Sequence, residues 1–384
     1  MRKTKALALI TVVLMLAACQ SIPLTLAPPV APLTTPSTPT QTQATNLNTP
    51  DKCTGAFVTH DLPFANGARM REMRTYAANG SGLAIADLDN DGDLDVIFAS
   101  IDGHSSVLWN EGGLQFTKQE LDDVNTRAAS SVDVDGDGAL DLVFTHRIGG
   151  VSYWRNTGGR NFVQAKLPNV EAFAYALAWA DLNGDGQLDL VTGSYKAELE
   201  REGVDLSAIQ DRSGVFYYER DGKNFVPHRL ATSAQALSIS LVDLDHDGHT
   251  DIWVANDFVE QDDIWLRQNN QWVRSQPFAI TSHSTMSIDW ADVNNDGGLA
   301  LFTTDMNPYD ISIENMARWL PMTAATQQHH EWNDPQIMQN VLQVRDVNSA
   351  NGAWQNEAPA HGRSRTRPRL RGPAPAARRC EPRA

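Results

Sequence analysis

The chain has 384 residues, of which 41% are hydrophobic and 20% charged, and its formal net charge is −16. Residues 1–18 carry a net +3 and residues 362–384 a net +7, which leaves −26 on residues 19–361. A body this acidic repels phosphate backbones, which argues against nucleic acid as a partner, and three cysteines are too few for a disulfide framework.

Residues 1–18 form a predicted export signal. Basic residues precede a 13-residue apolar run, Ala6 to Ala18, which is shorter than the roughly 18 residues of a membrane span. The run ends in Leu16-Ala17-Ala18-Cys19, which resembles a bacterial lipoprotein signal. The resemblance implies lipidation of Cys19 and, because Gln20 follows, an outer-membrane or cell-surface location. The alternative is an ordinary secretory signal with an incidental cysteine.

Residues 19–52 are predicted to form a tether. Positions 20–50 hold seven prolines, eight threonines and no charge, a composition that cannot bury enough apolar surface to fold. A Pro-rich segment extends at most ~3.1 Å per residue. We therefore expect the folded part, residues 53–361, to stand off the membrane.

The folded part repeats itself. Asp-rich nonapeptides begin at five aspartates, Asp87, Asp133, Asp181, Asp243 and Asp292, spaced 46, 48, 62 and 49 residues apart. Short runs of β-branched and aromatic residues follow the loops, and this period is typical of four-stranded propeller blades. The sequence thus predicts an all-β protein, a β-propeller with about five to six repeats of a seven-bladed type. A charged insert in the longest interval, about 196–213, is predicted to be a surface excursion.

The nonapeptides share a chemistry that suits Ca²⁺, which accepts six to eight oxygens. Position 1 and position 5 are always aspartate, position 3 is Asp or Asn, position 6 is glycine, and position 9 is aspartate except for Ala300 in the last copy. Position 7 varies, as expected if it contributes a backbone carbonyl. The candidate ligands are Asp87, Asp89, Asp91, Asp93, Asp95, Asp133, Asp135, Asp137, Ala139, Asp141, Asp181, Asn183, Asp185, Gln187, Asp189, Asp243, Asp245, Asp247, His249, Asp251, Asp292, Asn294, Asp296 and Gly298.

Two other interpretations of the loops compete with calcium binding. An EF-hand needs a bidentate glutamate at position 12 and flanking helices, but position 12 is Phe98, Phe144, Thr192, Val254 or Thr303, and the flanks resemble strands. Metal-free Asp/Gly turns would leave several carboxylates to repel one another. Structural calcium is the prediction that remains.

The repeated loops resemble those of the FG-GAP/VCBS repeat superfamily, whose calcium-binding hairpin loops occur in integrin-type propellers. A closer resemblance, to the CRTAC1-like (ASPIC/UnbV) branch, rests on Ala255-Asn256-Asp257-Phe258, on the segment from Ser287 to Gly297, and on Thr304-Asp305-Met306. The C-terminal ASPIC/UnbV segment of that branch is not visible. The resemblance implies a secreted or surface adhesive scaffold, usually without catalysis.

No catalytic residue is predicted. The cluster His329-His330-Glu331-Trp332 has no zinc-protease spacing, and most tryptophans lie on or beside strands, where core packing explains them. Residues 362–384 change abruptly to an Arg/Pro/Ala composition, which predicts a disordered tail or a shifted reading frame; a native tail that touches acidic lipids or polymers is the alternative.

The sequence favours a lipid-anchored, extracytoplasmic propeller that uses structural Ca²⁺ and binds a protein or glycan. It contacts the membrane through its anchor alone. The alternative is an enzyme on the same fold, a polysaccharide lyase or hydrolase, because fold does not determine function.

Overall fold

The described part of the chain is built mainly from β-strands. The computed structural model describes residues 59–60, 62, 81–258, 260–293, 298–306, 312–314, 317, 336–345 and 354–356. Four antiparallel strands form each of five sheets, which we call blades 1 to 5. The predicted signal (1–18), linker (19–52) with Cys19, and tail (362–384) lie outside these residues.

The strands of each blade follow one another along the chain. Blade 1 contains β1 (Leu83–Ala86), β2 (Asp95–Phe98), β3 (His104–Asn110) and β4 (Phe116–Val124). Blade 2 contains β5 (Thr126–Val132), β6 (Asp141–His146), β7 (Val151–Asn156) and β8 (Phe162–Ala165). Blade 3 contains β9 (Ala176–Ala180), β10 (Asp189–Gly193), β11 (Val215–Asp221) and β12 (Asn224–Ala231). Blade 4 contains β13 (Ala236–Val242), β14 (Asp251–Asn256), β15 (Asp263–Gln268) and β16 (Gln271–Ser275).

Blade 5 contains β18 (Ser287–Ala291), β19 (Ala300–Thr304), β21 (Val341–Arg345) and β22 (Trp354–Asn356). Two short strands, β17 (Thr281–Ser282) and β20 (Gln336–Ile337), pair in parallel beside it. None of the sheets closes on itself within the described residues. These meanders confirm the predicted all-β class and the four-stranded blades. Among the described residues, no helix has the length and apolarity to span a bilayer.

The hydrophobic cores lie between neighbouring blades. One core joins Ile97 and Trp109 of blade 1 to Phe144 of blade 2, and equivalent cores join each later pair of blades. The first strands of successive blades also lie against one another, from β1 through β5, β9 and β13 to β18. In the described part of the chain, each blade therefore buries apolar surface against its neighbours.

The second strand of a blade faces two cores at once, because its alternate side chains point to opposite faces. In blade 2, Phe144 belongs to the core shared with blade 1, and Val143 to the core shared with blade 3. This explains why β6, β10 and β14 are nearly continuous runs of buried residues. The tryptophans expected in the core are there: Trp109, Trp154, Trp253 and Trp265 are all buried.

The charged insert of blade 3 is anchored, so the predicted surface excursion is wrong in part. It forms helix α1 (Lys196–Arg201) and a 3-10 turn (Gln210–Arg212), and Leu199 packs on Phe173 of the preceding loop. Glu198, on the inner side of α1, forms a buried ion pair with Arg127 of β5. The composition of the insert could not predict this contact, because Arg127 lies 71 residues from Glu198 in sequence.

Candidate metal centres

Each Asp-rich nonapeptide connects the first strand of a blade to its second strand. The loop from Asp87 joins β1 to β2, and the loops from Asp133, Asp181, Asp243 and Asp292 occupy the same place in blades 2 to 5. We number them loops 1 to 5. The fold therefore repeats one loop at one end of every blade, as the sequence period predicts.

Two positions of loops 1 to 4 have a left-handed backbone. The sixth residue has φ of 93° in Gly92, 89° in Gly138, 86° in Gly186 and 89° in Gly248, which explains the glycine. The fourth residue is also left-handed, and sequence reasoning missed it: φ is 60° at Asn90 and 61° at His246, and loops 2 and 3 have glycine there. The signal was available, because asparagine and histidine are among the side chains that tolerate this region best.

The first aspartate organises the loop from within. In loop 2, Asp133 accepts hydrogen bonds from the amides of Gly136 (2.8 Å), Asp137 (3.1 Å) and Gly138 (2.9 Å). In loop 1, Asp87 accepts from the fifth and sixth amides of its loop. The fifth aspartate then accepts from the seventh amide, as Asp137 does from Ala139 at 3.0 Å. These bonds within the loop hold its backbone in one conformation.

The ninth aspartate pins the loop to the blade. In loop 1, Asp95 accepts from the amide of Leu88 in the loop (3.0 Å) and from the amide of Asn110 on β3 (2.9 Å). Asp141, Asp189 and Asp251 make the same two contacts, each with the second residue of its loop and a residue of the third strand. The sequence identified these residues as ligands but did not reveal this second role.

Three of the loops bring carboxylates together closely enough to share one cation. Each residue of a group offers one oxygen, and those oxygens lie within 4.8 Å of one another. The groups are Asp87, Asp89 and Asp95; Asp133, Asp135 and Asp141; and Asp243, Asp245 and Asp251. Loop 3 has Asn183 at the third position, so it contributes one carboxylate fewer. In the described part of the chain, clusters of three acidic, histidine or cysteine ligands occur only in these loops.

Burial and mutual repulsion raise the pKa values of several aspartates in the loops. Burial raises the pKa of Asp95 and of Asp251 to about 6, and that of Asp189 to about 7, with a further contribution from neighbouring carboxylates of each loop. Burial also raises the pKa of Asp245, and the charges of Asp247 and Asp243 add to the effect. The mutual repulsion of these carboxylates destabilises the loops, and a bound cation would remove that repulsion.

Among the described loop residues, two buried carboxylate oxygens accept no hydrogen bond: Oδ1 of Asp89 and Oδ1 of Asp243. A buried oxygen without a partner is costly, and a divalent cation would satisfy it. Loops 1 and 4 therefore fit Ca²⁺, with Asp87, Asp89 and Asp95, or Asp243, Asp245 and Asp251, as the side chains that would bind it. An oxygen-only donor set is what hard cations prefer.

Arginines form ion pairs with carboxylates in two of the loops, which the sequence pattern did not predict. In loop 2, Arg155 of the same blade contacts two aspartates. Its Nε lies 2.5 Å from Oδ2 of Asp135, and its Nη2 lies 3.0 Å from Oδ2 of Asp137. In loop 1, Arg160 of blade 2 lies 2.7 Å from Oδ2 of Asp89, so Oδ1 stays open. Arg160 is 71 residues from Asp89 in sequence, so only the stacking of the blades brings them together.

Loop 5 differs from the others. Its residues 294–297, with the predicted ligands Asn294 and Asp296, lie outside the described residues, as does the cluster at 329–332. Ala300 stands at the ninth position and is buried. The amide of Arg345, which corresponds to the pinned amide of the other blades, donates instead to the carbonyl of Leu299 at 3.2 Å. A backbone bond thus replaces the carboxylate.

Comparison with known proteins identifies the repeats. Residues 133–192 and 243–303 match the family of FG-GAP-like repeats, so the chain contains such repeats. The first matched span covers loops 2 and 3 and the second covers loops 4 and 5. No curated protein matches the chain.

Several solved structures resemble the fold at low identity. The V. cholerae biofilm matrix protein Bap1 is 16% identical, with a TM-score of 0.36, over 72% of this chain and 38% of Bap1. The Photorhabdus luminescens Tc holotoxin pore is 21% identical, with a TM-score of 0.32, over 58% of this chain and 11% of that one. A putative 6-phosphogluconolactonase from Bacteroides uniformis is 11% identical, with a TM-score of 0.34, over 73% and 84% of the two chains. The chain thus spans well under half of the first two.

Proposed function

We propose that this protein is a lipid-anchored, extracytoplasmic scaffold whose β-propeller binds structural Ca²⁺ and presents its surface to a protein or glycan. The observation that carries the proposal is the recurrence of one carboxylate cluster, with oxygens within 4.8 Å of one another, in loops 1, 2 and 4. The FG-GAP-like repeats support the same interpretation.

Calcium would act on the joints between blades. The second residue of loops 1 to 4 is buried between its own blade and the next; these residues are Leu88, Val134, Leu182 and Leu244. A cation bound to the neighbouring aspartates fixes the conformation of the loop that carries this residue. Ca²⁺ therefore has a structural role in the proposal, and the chemistry it supplies is charge compensation.

The location rests on the N-terminal sequence. Cys19 would carry the lipid, and the Pro/Thr-rich residues 19–52 would separate the propeller from an outer-membrane or cell-surface anchor. The adhesive role, and the closer kinship with the CRTAC1-like branch, rest on the motifs at 255–258, 287–297 and 304–306.

A calcium titration of the full chain by isothermal calorimetry tests the metal sites. We expect saturable binding that Mg²⁺ reproduces poorly, because Mg²⁺ requires a stricter octahedral shell. The variant Asp243→Asn/Asp245→Asn should lose one binding site, and the control Asp205→Asn, on the insert of blade 3, should lose none. Failure of the chain to bind Ca²⁺ at millimolar concentration would refute the proposal.

The anchor is tested separately. We expect cells fed a fatty-acid label to incorporate it into the wild-type chain and not into Cys19→Ala, while Cys53→Ala stays labelled. Equal labelling of the wild-type chain and Cys19→Ala would show that Cys19 is not the lipidated residue.

A further inference from the structure

A groove of about 280 Å³ opens between blades 2 and 3, beside loop 2. Four basic side chains line it: Arg155 of β7, Lys166 after β8, Arg220 of β11 and Lys223 in the turn between β11 and β12. Its apolar wall consists of Pro168 and the largely buried rings of Tyr153 and Phe225. We call this the blade 2–3 groove.

The charge of the groove runs against that of the protein. Residues 19–361 carry a net charge of −26. Among the residues that line the groove, however, a single one is acidic, Asp135 of loop 2. Clustering of four cations on one concave surface raises the local concentration of anions. The groove therefore favours negatively charged ligands, although the net charge of the protein as a whole is negative.

A difference between two equivalent turns keeps the groove open. Arg160 in blade 2 and Lys223 in blade 3 both precede an Asn-Phe pair in the hairpin between the third and fourth strands. Arg160 reaches back to Asp89 of loop 1 and lies over the Trp109 ring, 4.9 Å from its centroid. At loop 2, Arg155 of blade 2 itself pairs with Asp135 and Asp137, and Lys223 of blade 3 forms no ion pair with that loop in the described part of the chain.

Two of the four cations are available to a ligand. Lys166 and Lys223 are exposed, and in the described part of the chain neither forms an ion pair or a hydrogen bond. Arg220 donates to the carbonyl oxygens of Val134 and Gly222, which places its guanidinium firmly in the groove. Fixed arginines beside free lysines suit an anion of defined size.

We propose that the blade 2–3 groove binds a compact organic carboxylate with an apolar face, of the class of acidic sugar units. The cationic rim would bind the carboxylate, and the apolar wall would pack against the ring. The volume of 280 Å³ is near the lower end of ligand pockets, so one sugar unit fits better than a longer segment.

Calcium would strengthen this binding, a step that rests on the proposed function. Ca²⁺ in loop 2 would bind the carboxylates of Asp135 and Asp137. In the structure, these carboxylates form ion pairs with Arg155. The released guanidinium is half-exposed and lines the groove, so it would turn to the ligand.

Ligand-observed NMR titration of the full chain with glucuronate, glucose or sulfate tests the site in EGTA. We expect glucuronate to bind, glucose not to bind, and sulfate to bind more weakly. Lys166→Gln/Lys223→Gln should weaken glucuronate binding by roughly five- to tenfold, since two exposed ion pairs are lost, and Lys118→Gln, an exposed lysine of blade 1, should leave it unchanged. Equal binding of glucose and glucuronate, or equal affinity of the double variant and the wild type, would overturn the proposal.

The calcium step has its own measurement. We expect Ca²⁺ to tighten glucuronate binding by the wild type and to have a smaller effect in Arg155→Gln. If calorimetry shows that the loops bind Ca²⁺ but glucuronate affinity stays the same, the coupling is wrong and the anion site stands. If Ca²⁺ does not bind at all, the proposed function fails, and the titration in EGTA still decides the groove.

Discussion

The side chain of Asn156 in blade 2 donates a hydrogen bond from Nδ2 to the carbonyl oxygen of Leu88, 3.0 Å away in loop 1 of blade 1. The same kind of bond recurs from Arg220 to Val134 and from Arg345 to Leu244, each time from the third strand of one blade to the second residue of the preceding loop. The Asp-rich loops are therefore joints between blades as well as candidate metal sites. Changes in a loop should be felt at the adjoining interface.

The first prediction concerns this joint. Asn156→Ala removes the bonds to Leu88 and Leu140 and leaves buried carbonyls without a partner. We expect a loss of ~1–3 kcal/mol in the free energy of unfolding, measured by chemical denaturation. Asn161→Ala, which removes an exposed bond to Thr157 in the adjacent turn, is the control. Equal losses in the free energy of unfolding would show that the Asn156 side chain does not stabilise the contact between blades 1 and 2.

A second prediction concerns pH. Asp95, Asp189 and Asp251 have pKa values raised to about 6–7 in the folded protein, so the folded state binds more protons than the unfolded state between pH 4 and 7. In EGTA, the stability contributed by these groups is therefore present at low pH and falls as pH rises through that window. Ca²⁺ needs deprotonated ligands, so its stabilisation should grow over the same range.

Thermal unfolding in EGTA and in Ca²⁺ at pH 5.0 and pH 7.5 measures this directly. The expected result is a Tm increase on adding Ca²⁺ that is larger at pH 7.5 than at pH 5.0, with Mg²⁺ less effective. A Tm that EGTA leaves unchanged at pH 7.5 would argue against structural calcium.

The third prediction ranks the loops. Loop 1 has acidic residues at positions 1, 3, 5, 7 and 9, whereas loop 5 has Asp292 and Asp296 and ends in Ala300. Because calcium affinity rises with ligand charge and completeness, we expect loop 5 to be the weakest. Ala300→Asp should add or tighten one site in a calorimetric titration, and Ala291→Ser, at the end of β18, should not. A titration curve for Ala300→Asp that matches the wild type would refute the ranking.

The fourth prediction concerns the buried pair of Arg127 and Glu198. Both side chains are almost fully buried, at 2% and 1% exposure, so Glu198→Gln leaves a buried guanidinium without its carboxylate. We expect a destabilisation of ~3–5 kcal/mol. Glu200→Gln, on the same helix, breaks only an exposed pair with Lys196 and should cost ~0.3–0.5 kcal/mol. Comparable losses in the two variants would show that α1 is not anchored through Glu198.

Local features of the chain were sufficient to predict the blades and the loops. The repeat spacing of 46, 48, 62 and 49 residues, the glycine at position 6 and the alternation of aspartates each act within one repeat, where sequence distance and spatial distance agree. The strands after the loops and the buried tryptophans were predicted for the same reason. The left-handed fourth position was also readable, and was missed because its residue type varies.

The tertiary structure decided which side chains meet across blades. Arg160 of blade 2 reaches loop 1 of blade 1 from 71 residues away, and Glu198 pairs with Arg127 across the same sequence distance. Each contact depends on how one sheet stacks on the next, which spacing along the chain does not record. The four cations of the blade 2–3 groove come from two blades for the same reason. The sequence by itself thus determined the repeated unit and its carboxylate-rich loops, whereas the stacking of the blades decided which of those charges are paired with arginines.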